Sequence, residues 1–100
     1  MTRSKYNATY FIKKLERIPA DLWCTGNFIG EGGRHCALGH VMHEGRDAHG
    51  MIQLFRKYLN REPSRVNDGD DVRFQQKEPK ARVISALYTI KAIRQQRKHV

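Results

Sequence analysis

Apolar positions recur at helical spacing in three stretches of this chain, separated by short polar or glycine-rich segments. Ala8, Phe11, Ile12, Leu15 and Ile18 stand three and four apart, with Lys13, Lys14 and Arg17 on other faces. This spacing predicts a first amphipathic helix, capped by Asn7 or Ser4 and stopped by Pro19. Met51, Ile52, Phe55, Tyr58 and Leu59 predict a second, from about Ala48 to Asn60, broken by Glu62-Pro63-Ser64. Pro79 fits the first position of a third, in which Val83, Ile84, Leu87, Ile90 and Ile93 form one apolar face.

The intervening segments are less regular. Leu22 to Ile29 is rich in strand-favouring residues, but Gly26 makes an irregular extended segment the better expectation. Gly30-Glu31-Gly32-Gly33 reads as a flexible turn leading into a short helix from Cys36 to about His43, with Gly45 at its end. Asn67-Asp68-Gly69-Asp70-Asp71 reads as a turn before a short strand at Val72-Arg73-Phe74. The expected fold is mainly α, with α+β as the alternative: three or four helices around one small core, with a short irregular strand or ribbon. Residues 1–100 are expected to form a single compact domain with basic, frayed termini.

Charge changes this picture more than size does. The net charge is +9, and it is unevenly placed. Residues 1–20 carry five basic and one acidic residue, residues 21–50 two and four, residues 51–78 six and five, and residues 79–100 six and none. Basic termini of this kind attract phosphates at long range. Lys13, Lys14 and Arg17 at one end and Lys91, Arg94, Arg97 and Lys98 at the other are the candidate polyanion-binding residues. Tyr6, Tyr10 and Tyr88 are interleaved with these charges and offer stacking surfaces. No helix-turn-helix, zinc-finger or RNA-recognition signature accompanies them, so sequence-specific reading is not expected. Two cysteines are too few for a disulfide scaffold, and no apolar run approaches a membrane span. The expectation is a reduced cytoplasmic protein, in a host cytoplasm if phage-encoded, with no membrane partner.

The segment around Cys36 admits two chemical readings beside a packing one. At the start of a helix, with Arg34 and His35 adjacent, Cys36 would have a lowered thiol pKa. His40, one turn on, would be its base and Asn67 or Asp68 would orient the imidazole, the outline of a Cys-His hydrolase. Alternatively Cys24, Cys36, His40 and His43 would hold zinc, although the spacing lacks a C-x₂-C knuckle. In the packing reading Cys36 is a small buried residue, with Ala37 and Gly39 permitting close approach and the Asn67-Asp68 turn bracing the helix start. That reading is preferred: no cofactor is expected, zinc being the alternative, and an enzyme is the less favoured class.

At these residues the chain resembles a family of small, mostly uncharacterised bacterial and phage domains. Their pattern is a tryptophan, a nearby glycine, C-A-L-G-A-L, a W-N-D turn and a final amphipathic helix. The matching structural positions are Trp23, Gly26, Cys36-Ala37-Leu38-Gly39 and Asn67-Asp68, with the helix beginning near Arg82-Val83. His40 stands where the pattern has a small residue, and Val66 where it has tryptophan. The resemblance implies one compact domain of bacterial or phage origin and carries over no activity. The function expected is therefore that of a small, basic, non-enzymatic binding protein for nucleic acid or a phosphorylated small ligand. A protein-interaction module, such as a phage-encoded inhibitor of a host or defence system with an acidic protein partner, is the alternative.

Overall fold

The computed structural model describes residues 6–26, 34–41 and 45–98, and they are mainly helical. Five α-helices appear among them: α1 (Ala8–Glu16), α2 (Ala37–Val41), α3 (Gly45–Leu59), α4 (Pro63–Asn67) and α5 (Pro79–Lys98), with a 3₁₀ turn at Ala20–Leu22. The Gly30–Gly33 turn, the Ser4 cap, His43 and the two chain ends lie outside the described residues.

Local chemistry sets the helix limits. The Asn7 side chain accepts the Tyr10 amide at 2.9 Å and so caps α1. Pro79 opens α5 with no amide lost to the helix. Pro63 was expected only to break the preceding helix, yet it also starts α4. Gly45, expected to end a helix, instead opens α3, so this helix begins earlier than Ala48. Its first turn carries Asp47, whose carboxylate accepts the Tyr10 hydroxyl and the Lys14 ammonium, each at 2.6 Å. A carboxylate in the first turn also suits the positive helix end.

α1 and α5 make the most extensive helix pair. Lys80 Nζ donates to the Glu16 carbonyl and the Tyr88 hydroxyl to the Glu16 carboxylate. The end of α1 thus lies against the first half of α5, and the pair runs antiparallel. Phe11 and Leu15 of α1, Met51 and Phe55 of α3, and Val83, Leu87 and Ile90 of α5 are fully buried in one shared core. Burying each such side chain is worth about 1.5–3 kcal/mol. No helix among the described residues is long and apolar enough to cross a membrane.

The expected strand at Val72-Arg73-Phe74 does not form. Asp71, 1% exposed, accepts the Arg73 amide and the Nε and Nη2 donors along one edge of its guanidinium, with Arg61 Nε 3.4 Å away. This ring of bonds closes a turn, leaving Val72 exposed and turning Phe74 into the core. The bond from the Arg73 side chain holds the Asp71 carboxyl at about 2, although burial opposes it. A depressed carboxylate pKa stabilises the fold above the unfolded value and ceases to do so as pH falls through the folded one. Stability is therefore expected to fall by at most about 2 kcal/mol between about pH 4 and about pH 2, the exposed Arg73 being partly screened. Urea titrations across that range check this: an Asp71→Asn variant, less stable at neutral pH, should lack this part of the acid loss.

Candidate functional site

Two places gather the residues singled out in the sequence. The first is a joint between the segment around Trp23, the start of α2 and the end of α4. His35 forms an isolated parallel bridge with Trp23, donating to the Leu22 carbonyl and accepting the Cys24 amide. In a regular parallel ladder the next bond would run from the Ala37 amide to the Cys24 carbonyl. Asn67 is spliced in at that point. Its Oδ1 accepts from Ala37 at 3.0 Å and its Nδ2 donates to the Cys24 carbonyl at 2.8 Å. The side-chain amide, with one acceptor and two donors, thus replaces a missing rung and satisfies the first orphan amide of α2.

The joint extends outward from Asn67. Asp68 Oδ1 accepts the second Asn67 Nδ2 hydrogen and the Gly26 amide, and Gly26 has φ of 80°, a conformation that favours glycine. From α5, Arg82 donates through Nε and Nη2 to the Asn67 carbonyl and through Nη1 to the carbonyls of Gln76 and Lys77.

Cys36 and His40 belong to the same joint. The Cys36 carbonyl accepts the His40 amide, opening α2. The thiol pKa is raised, not lowered: burial outweighs the opposing bonds from the Gly39 and Leu38 amides. The sequence suggested an activated thiolate from the helix start and Arg34 and His35, but Arg34 is exposed and the sulfur is withdrawn from water. His40 Nε2 lies 2.9 Å from the Leu22 carbonyl, which only accepts, so Nε2 carries the proton there. The ring packs on Trp23 and His35, with centroids 5.1 and 5.2 Å away. Trp23 and Gly39 are buried. Among the described residues no group of three or more His, Cys, Asp or Glu side chains is placed to hold a metal ion. Cys24 and Cys36 are both free thiols.

The second place is a cleft of about 450 Å³ where the start of α1 meets α3 and the C-terminal half of α5. Two rows of α3 line it, each spaced by four: His49, Gln53 and Lys57, then Gly50, Leu54 and Tyr58. Tyr6 and Arg94 complete the wall. Tyr6 rests on Gly50 so closely that a Cβ there would stand 2.7 Å from the ring. The Tyr58 ring carries two cations, Lys57 Nζ at 5.3 Å and the Arg97 guanidinium at 5.0 Å from its centroid.

Five cations away from this cleft are ion-paired. Lys14 is paired with Asp47, Arg56 with Glu62, Arg65 with Asp70, and Arg61 and Arg73 with Asp71. Lys57, Lys91, Arg94 and Arg97 have no carboxylate partner among the described residues, and none of the cleft-lining residues is acidic. Lys91, Arg94 and Arg97 stand three apart on α5, where like charges repel.

Of the candidate polyanion residues whose side chains are described, only Arg94 lines the cleft, with Arg97 beside it. Lys98 ends α5 and Lys91 lies one turn before Arg94. Lys13 and Arg17 are exposed on and just beyond α1, outside the cleft lining, and Lys14 is turned to Asp47. Lys57, Tyr58 and Gly50 were not expected to be functional. Their signal was present in the paired rows of α3, which an apolar count treats as one helix face. No family model, curated protein or solved structure matches this chain.

Proposed function

We propose that this chain is a small, non-enzymatic binding protein for polyanions, either nucleic acid or a phosphorylated small ligand, and that the cleft between α1, α3 and α5 is its site. One observation carries the reading: Lys57 and Arg94, with Arg97 beside them on the Tyr58 ring, gather at a cleft that has no acidic lining among the described residues. An anion there relieves repulsion that the fold leaves uncompensated. Aromatic rings beside the cations favour ligands that carry more than charge. A cytoplasm, bacterial or phage-host, is the compartment in which the two free thiols would stay reduced.

The reading is tested by anisotropy titrations of a labelled mixed-sequence oligonucleotide and of inorganic polyphosphate. Affinity for at least one is expected to fall steeply from about 50 to about 200 mM salt, with a log–log slope near −2 to −3 for three neutralised phosphates. Replacing Lys57, Arg94 and Arg97 together by Gln should weaken binding about tenfold or more and flatten that slope. Lys14→Gln should leave affinity nearly unchanged. Absence of binding at low salt, or a flat salt dependence in the natural protein, would sink the proposal.

A further inference from the structure

We infer that the cleft takes a nucleotide unit whose base is unpaired, either a free mononucleotide or one position of a single strand. This rests on the polyanion reading and narrows it. A site for phosphate alone needs only convergent donors, and a flat basic surface supplies them. Here the cations stand beside a recess walled by Tyr6, Leu54 and Tyr58. The recess depends on Gly50, because any side chain at that position would displace the Tyr6 ring.

The polar groups are arranged to match. Gln53 carries both a donor and an acceptor, and His49 stands one turn before it, 3.5 Å away. Such groups can bond the edge of a base that is not already paired. Lys57 and Arg94 line the same cleft and supply the positive charge for a phosphate attached to that base's sugar. The Tyr58 ring already holds a planar guanidinium over its face, the contact by which arginine also covers a base. A volume of about 450 Å³ is that of a small-ligand site. A duplex keeps its bases stacked inside and presents a convex phosphate surface, so it reaches the cations but not the recess without flipping a base.

Four probes separate these cases: a short single-stranded oligothymidylate, the duplex it forms with oligoadenylate, inorganic polyphosphate of matched charge, and adenosine monophosphate. At equal ionic strength the single strand should bind about tenfold tighter than polyphosphate and tighter than the duplex, as expected for one stacked base. Binding of adenosine monophosphate as tightly as the strand identifies the free nucleotide as the source, and weaker binding identifies the strand. Tyr6→Leu, checked for an unchanged unfolding midpoint, should reduce nucleotide affinity about tenfold and leave polyphosphate binding within about twofold. Tyr58→Leu, which also releases Lys57 and Arg97 from the ring, should reduce nucleotide affinity about tenfold more than it changes polyphosphate affinity. If Tyr6→Leu fails to fold, Tyr58→Leu decides alone. Equal affinity for polyphosphate and the strand, tighter duplex binding, or unaltered nucleotide affinity in folded variants overturns the inference while the polyanion reading stands. Failure of every probe to bind at low salt removes both.

Discussion

Asn67→Ala is expected to destabilise the protein by about 3–5 kcal/mol, a large part of the stability of a domain this size. The alanine fills little of the space, but the main loss is hydrogen bonding. The Ala37 amide and the Cys24 carbonyl lose their partner together, and each stranded buried group costs about 1–3 kcal/mol. Asp68 also loses the Nδ2 contact that fixes its carboxylate toward Gly26. Asn67→Asp is the sharper probe because it preserves size. It keeps an acceptor for Ala37 but sets a carboxylate oxygen against the Cys24 carbonyl and a second charge beside Asp68. It should therefore destabilise about as much as alanine. Urea unfolding midpoints measure both, and a loss below about 1 kcal/mol in either variant would refute the spliced-rung description.

Arg82→Met should cost about 2–4 kcal/mol, with Arg82→Lys recovering only part of it. Arg82 is 8% exposed and its guanidinium makes four bonds to three carbonyls, which a single ammonium cannot span. Methionine retains the apolar stem and isolates the loss of those bonds. Two of the four bonds end on the Asn67 carbonyl, so the two sites share one peptide unit. The double variant Asn67→Ala with Arg82→Met should fall short of the sum of the single losses by about 1 kcal/mol or more. Strict additivity in that cycle would show that the two side chains act independently.

Much of the fold could be read from periodicity and capping. Phe11, Leu15, Val83 and Leu87 occupy the faces their spacing assigns, and Asn7 and Pro79 mark helix starts. The failures have local physical causes. Val72-Arg73-Phe74 alternates like a strand, but the Asp71–Arg73 ring outweighs that propensity. Gly45 resembles a helix stop by residue type, whereas Asp47, held by Tyr10 and Lys14 of α1, places it at the start of α3. Partners thirty or more residues away leave no trace in a local pattern. The same limit applies to the cleft. Basic residues are visible in the sequence, but which of them are neutralised is not: Lys14 and Arg94 look alike until Asp47 takes one of them. The Asn67-Asp68 turn suggested a brace for α2, and the insertion of its side chain between two backbone segments became visible only in three dimensions.

Helix α5 carries both places described above, Arg82 near its start and Arg94 twelve residues later, about 18 Å along the axis. Sites so far apart with no shared partner respond to substitution almost independently. If the cleft is the binding site proposed above, variation around Lys57, Tyr58 and Arg94 can therefore retune its ligand without drawing on the bonds that hold Asn67. A lineage descended from this chain could explore new ligands at one end of a single helix while the other end keeps the fold unchanged.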